Sequence, residues 1–288
     1  MTNPIGEFSD ARLIEELERF CPKTAKEIEQ NYFLRSINRY RRLFLALPHG
    51  GGEKSLLDIG ARLYTAFIYA NYLDYARVAV ATKWETPYTE ASLLARIPRH
   101  ERISVQHFDA ENTVFPYRDG EFDVVVCSEL LEHLAIDPMF MLAEINRVTR
   151  PDGLLVLTTP NAASWASLRK VLEGKHPYTW SMYNGSSTDR HNREYTIDEL
   201  DRLIANCGYQ LVKSETFSAS GQGFSLKEKV LSAWFSLPDT LRGKPGLNPS
   251  RRGETSLVVG RKVSAIQDRY PSWLYFDPRP TARPSLES

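Results

Sequence analysis

The chain has 288 residues, 42% of them hydrophobic and 25% charged, which is enough apolar material for one large domain with additions. Lys plus Arg and Asp plus Glu number 36 each, so no bulk field draws the protein to nucleic acid or to an anionic membrane. Three cysteines, Cys21, Cys127 and Cys207, lie far apart; they exclude a disulfide framework or zinc knuckle and fit a reducing compartment. No apolar run approaches the ~18 residues needed to span a bilayer. The early acids Glu7, Asp10, Glu15 and Glu16 are unlike a signal peptide, so the expected location is the cytoplasm.

Helical spacing opens the chain, with Leu13, Ile14, Leu17 and Phe20 over 10–20 and Ile28, Tyr32, Ile37, Tyr40 and Phe44 over 24–47. The basic cluster Arg39, Arg41 and Arg42 reads there as a solvated surface, as does Arg251 with Arg252. Pro48 and the glycines at 50–52 stop this region. The period then changes. Short apolar runs at 55–59, 77–82, 103–107, 122–128 and 153–159, mostly separated by segments that can be helical, predict a parallel sheet covered on both faces. "DVVVCS" and "LLVLTT" have no polar alternation and read as central strands. "TIDELDRLIANCGY" reads as a helix capped by Thr196 and ended by Gly208. "QLVKSET" and "ETSLVVGRKV" supply two more strands. The expected organisation is a helical extension over 1–50, a main domain over 51–263 with an irregular insertion at 216–253, and an extended tail over 264–288.

The first strand leads into "LLDIGARLYTAF", where Asp58 and Gly60 stand where a buried strand turns over a ligand. Further on, "DAENTVFPYRDGEFDVVVCSELLEHLAIDPMFMLAEINRVTRPDGLLVLTTPN" joins a strand-end acid to an "FP-x-x-D-x-x-FD" link. A strand, "E-x-L-EHL", a helix, "R-V-x-[KR]-P-x-G" and a strand ending "TTPN" complete it. Together with "HNREYTIDEL" and "CGYQLV", these ordered motifs resemble the class I S-adenosylmethionine-dependent methyltransferases, particularly those acting on small molecules. The resemblance covers about residues 55–215.

The resemblance implies a doubly wound, seven-stranded, mostly parallel Rossmann-like sheet whose last strand runs antiparallel, with the ligand at the strands' carboxyl ends. It implies S-adenosylmethionine as cofactor. Asp58 is then placed at the aminoacyl end, with Gly60 and Ala61 in the close turn. Asp109 meets the adenine amino group and the Ala110 N–H a ring nitrogen. Ser128 and Glu129 border the methionine part and the point of transfer. Methyl transfer is an in-line displacement, so positioning supplies much of the rate and a base matters when the acceptor is a hydroxyl. His191 and Glu129 are the candidate catalytic groups, and His133 is a further candidate base.

Two elements of the pattern are altered. The turn after Gly60 carries Arg62 and Tyr64 where the family has glycines, and the second strand ends in Ala81, Thr82 and Lys83 instead of an acid for the ribose hydroxyls. Glu85 is the nearest acid and is assigned that contact through a tight turn. Arg62 reads equally as a surface residue or a partner for the cofactor carboxylate. Tyr64 reads as lining the mouth or as packing beneath the loop. The altered turn, "DRHNREYT" and "RYPSWLY" also resemble bacterial methyltransferases of cell-surface polysaccharide gene clusters. That implies a small polar acceptor such as a sugar or glycan-precursor hydroxyl, with no nucleic acid and no membrane span. Two other readings fit the same residues. One is a catalytically silent scaffold; the other is a metal-assisted RNA ribose O-methyltransferase whose ion is held by Glu129, Glu132, His133 and His191. Neither the metal nor the oligomeric state is read from the sequence.

Overall fold

The run Val124–Val126 in "FDVVVCS" has no polar alternation because both faces of its strand are covered. In a computed structural model, which describes residues 3–21, 26–87, 89–178, 190–221, 225–235 and 248–275, this run is β4 (Phe122–Ser128), the central strand of seven. The others are β1 (Ser55–Ile59), β2 (Arg77–Thr82), β3 (Ile103–His107), β5 (Thr149–Pro160), β6 (Tyr209–Phe217) and β7 (Thr255–Lys262). Their order is β3-β2-β1-β4-β5-β7-β6. β1 to β5 pair in parallel, and β7 runs antiparallel to both β5 and β6. The strand order reverses between β1 and β4, where a doubly wound sheet opens its ligand crevice.

Helices cover both faces. α1 (Asp10–Glu18) is capped by Ser9, which accepts from the Arg12 N–H; α1, α2 (Lys26–Ala46) and α3 (Leu63–Asn71) pack on one side. Phe33, Tyr40, Phe44, Tyr64 and Phe67 join Leu56, Val78 and Val124 in a single apolar cluster there. The N-terminal helices are therefore part of the core that holds the sheet. On the other side, α5 (Pro138–Val148) and α7 (Ile197–Asn206) cover Leu57, Val125 and Leu155. α7 begins in a capping box, with the Thr196 side chain accepting from the Glu199 N–H and the Glu199 carboxylate accepting from the Thr196 N–H. α4 (Ala91–Leu94) is a single turn; α6 (Trp165–Leu172) and α8 (Leu226–Phe235) touch each other.

The fifth strand starts earlier than the sequence suggests. Pro151–Gly153 lie inside β5 as a bulge, where the register jumps between Phe122 opposite Thr149 and Val124 opposite Leu154. Asp152 takes a φ of 60° at this bulge. In the insertion, residues 222–224 and 236–247 lie outside the described residues, and so do 276–288 of the tail. Residues 264–275 fold back on the domain. Trp273, Leu274 and Tyr275 pack on the second cluster, and the Tyr275 hydroxyl donates to Asp137. Among the described residues no helix is long and apolar enough to cross a membrane.

Candidate active site at the carboxyl edge of the sheet

Register aligns the strand ends. Ile59 pairs with Ala81 on one side and Cys127 on the other, Thr82 with His107, and Ser128 with Thr158. In the order β3-β2-β1-β4-β5, Asp109, Lys83, Gly60, Glu129 and Thr159 therefore lie along a single edge, with neighbouring strands about 4.8 Å apart.

At β1, Gly60 has φ +81°, and its N–H donates to the Ala81 carbonyl at 2.7 Å. A side chain there would be strained by the left-handed backbone and would touch Leu130. Ala61 is buried beside it. Asp58, only 3% exposed, accepts from the Tyr69 hydroxyl at 2.8 Å and from Thr65 at 3.3 Å. Burial pushes its carboxyl up to about 7, against the lowering effect of those two hydrogen bonds. Arg62 precedes α3 in extended backbone. Tyr64 lies beneath the loop, 2% exposed, with its hydroxyl 3.1 Å from that of Tyr40 and its ring edge-on to Phe33.

At the next two strands, Lys83 stands where an acid was expected and pairs with Asp109 at 2.6 Å. Asp109 also accepts from the Glu111 N–H at 3.1 Å and from Asn112 at 3.3 Å, which shapes the turn that presents Ala110. Glu85 is exposed and makes no hydrogen bond or ion pair with the described residues.

At β4 and β5, Ser128 and Thr158 share a hydrogen bond of 2.8 Å, and Thr158 donates to Glu129 at 3.0 Å. Glu129 has φ +52°, a conformation that costs a non-glycine residue energy and gathers at functional sites. Its other oxygen meets Arg39 at 3.0 Å. The sequence reading of Arg39 as a solvated cation is thus corrected. α2 turns it inward, 4% exposed, between the rings of Tyr32 and Tyr40 and onto the site. Arg41 and Arg42 pair with Asp10 and Glu215. Nothing local marks Arg39 as different from Arg41 and Arg42.

Beside this edge lies a second cluster. Glu132 is 1% exposed and accepts from Thr159 at 2.8 Å. Burial, reinforced by the Glu129 charge, raises its carboxyl well above the usual range. His133 and His191 pack edge to face at 5.0 Å. His191 is buried, its Nδ1 2.7 Å from Glu194. Glu129, tied to Arg39, belongs to the transfer edge, whereas Glu132, His133 and His191 come within 4.8 Å of one another. Asn161 is also buried and donates to the Arg251 and Gly253 carbonyls, holding a loop.

A doubly wound sheet with this strand order, and a polar crevice at its carboxyl edge, defines a Rossmann-like class I methyltransferase fold. Residues 10–214 match the family described as "Methyltransferase domain", and the chain belongs to that family, whose cofactor is S-adenosylmethionine. It is 27% identical over 195 residues to a Mycolicibacterium smegmatis protein assigned as an S-adenosylmethionine-dependent methyltransferase, covering 67% of this chain and 64% of that one. It is 25% identical over 165 residues to the ubiquinone biosynthesis O-methyltransferase of Psychrobacter arcticus, covering 56% and 60%. The chain thus spans less than two thirds of these relatives' length. A Listeria monocytogenes structure assigned to the same methyltransferases shares the fold, with a TM-score of 0.53 at 15% identity, covering 79% of this chain and 99% of that one.

Proposed function

We propose that the protein transfers the methyl group of S-adenosylmethionine to the hydroxyl of a small polar acceptor, such as a sugar or glycan precursor. The observation that supports this reading is the row of strand ends along the carboxyl edge, which brings Asp58, Gly60, Asp109, Ser128 and Glu129 to one crevice, with Lys83 at the step where the ribose would lie. Bound, the cofactor supplies a carbon already activated by positive sulfur. The chain's part is positional. Asp58 offers a carboxylate toward the ammonium, and Gly60 and Ala61 let the backbone approach. Asp109 and the Ala110 N–H read adenine. Ser128, Thr158 and Glu129 border the point of transfer, with Arg39 holding Glu129 in place. The name of the Psychrobacter relative, an O-methyltransferase, supports an oxygen acceptor.

Calorimetric titration with S-adenosylhomocysteine tests the cofactor half. Asp109→Ala should weaken binding by about 1–3 kcal/mol, because the adenine amino group loses its acceptor. An unchanged dissociation constant in the folded variant would remove Asp109 from the site. Transfer of labelled methyl to a panel of sugars and nucleotide sugars tests the acceptor half. The Lys83–Asp109 ion pair, which occupies the adenine acceptor, favours a second reading as a binding scaffold without turnover. No binding at millimolar cofactor would select it.

A further inference from the structure

We propose that Glu132, His133 and His191 form a binding site for one divalent transition-metal ion of the zinc type. It is a three-donor site in which Glu129 takes no part. Three observations on these residues point the same way.

The first is an orphaned acceptor. Glu132 Oε2 accepts from Thr159, but Oε1 is buried and has no hydrogen-bond partner among the described residues. It lies 3.9 Å from His133 Nε2. A buried carboxylate oxygen with nothing to accept from costs free energy that a cation would recover.

The second is the state of the two imidazoles. His133 Nδ1 is 3.0 Å from the Arg190 carbonyl, which can only accept, so Nδ1 carries the hydrogen and Nε2 the lone pair. His191 Nδ1 faces the Glu194 carboxylate in the same manner, leaving its Nε2 to ligate. Metal-binding histidines are oriented in this way, with the far nitrogen donating to a carbonyl or carboxylate.

The third is geometry and its support. A tetrahedral ion with bonds of about 2.1 Å puts its donors about 3.4 Å apart. Donor atoms of the three residues lie within 4.8 Å of one another, so side-chain movements of about 1 Å close the set. The two contributing segments are tied together. The Glu132 carbonyl accepts from the Asn192 and Arg193 N–H groups, and the Asn192 side chain donates to the His133 carbonyl. Glu129 is turned away toward Arg39 and Thr158.

Two imidazoles and one carboxylate suit zinc and its neighbours better than magnesium or calcium, which prefer all-oxygen shells. Three protein donors leave at least one coordination position open to water or to an oxygen of the acceptor. Because Thr159 follows Thr158 near the end of β5, that position falls next to the transfer edge.

The test uses the untagged full chain, stripped with a chelator and titrated with Zn2+ against a chromophoric competitor, without cofactor or acceptor. Its outcome is thus separate from that of the methyl-transfer reading. One Zn2+ per chain is expected. Glu132→Gln and His191→Gln should each lower affinity at least ~tenfold. Glu194→Gln should lower it ten- to a hundredfold, about the range for loss of a supporting partner, and Glu129→Gln, which removes a nearby charge but no ligand, should lower it far less than Glu132→Gln. X-ray absorption of the zinc-loaded wild type should show two imidazoles, a reading that needs no variant to fold. No Zn2+ uptake by the folded chain, equal uptake by Glu132→Gln, or a shell without imidazole would overturn the site. An equal loss on Glu129→Gln would overturn the three-donor assignment.

Discussion

Asp58 makes the stability of this protein depend on pH in a direction opposite to that of most carboxylates. Its carboxyl rises from 3.8 to about 7 in the folded chain because it is buried, and the Tyr69 and Thr65 hydroxyls offset only part of that. Between these values the native state holds a proton that the unfolded chain has released. Stability therefore falls as pH rises through the window, and levels off above it. Below about pH 4 both states are protonated and the dependence also vanishes. With 1.36 kcal/mol per unit, the Asp58 contribution drops by about 2.5 kcal/mol between pH 5 and pH 8. Asp58→Asn removes the titration while keeping an acceptor for Tyr69. The assay is urea unfolding of both proteins at several values from pH 5 to 8, taking the difference so that Glu132 and other groups cancel. The wild type should lose about 2.5 kcal/mol relative to the variant over this range, or about 1 M in midpoint for an m of about 2.5 kcal/mol/M. Parallel curves for the two proteins would refute the reasoning, since Asp58 would then be ionised in the native state or wet. A linked effect follows on the proposed function. An ammonium beside Asp58 favours its ionised form, so S-adenosylhomocysteine binding at pH 6 should release a proton. The binding heat should then differ between buffers of different ionisation enthalpy.

Gly60→Ala should destabilise the fold by about 1 kcal/mol, because φ +81° is strained for any side chain; an unchanged melting temperature would contradict this. Arg39→Met should cost about 1–3 kcal/mol, since Glu129 is only partly exposed and loses its cation. A double-mutant cycle with Glu129→Gln should show coupling of about 1 kcal/mol or more, and simple additivity would show that the pair contributes nothing. Lys83→Glu restores an acid at the end of β2. It gives up a partly exposed ion pair worth about 0–1 kcal/mol for charge-assisted bonds to ribose hydroxyls worth about 1.5–3 kcal/mol. Binding of S-adenosylhomocysteine should tighten about tenfold, and weaker binding would mean that Lys83 itself serves the ligand.

The sequence by itself determined the sheet. Strands such as "DVVVCS" are covered on both faces, and that burial leaves its mark in every consecutive residue. The ordered motifs from Asp109 to Asn161 carried the family, and through it the strand-end positions of Asp58, Gly60, Asp109, Ser128 and Glu129. Local pattern also marked Thr196 as the cap of α7, because a cap and the N–H it accepts from lie within one helical turn. What only the tertiary structure decided are contacts between residues far apart in the chain. Arg39 and Glu129 are 90 positions apart, and an arginine among arginines carries no sign of which one the helix turns inward. Lys83 meeting Asp109, Tyr64 packing against Tyr40, and His133 facing His191 arise in the same way. Periodicity records which side of an element is buried, and it is silent about what stands on the other side. The identity of each partner is fixed only when the helices dock on the sheet and the strand ends come into register.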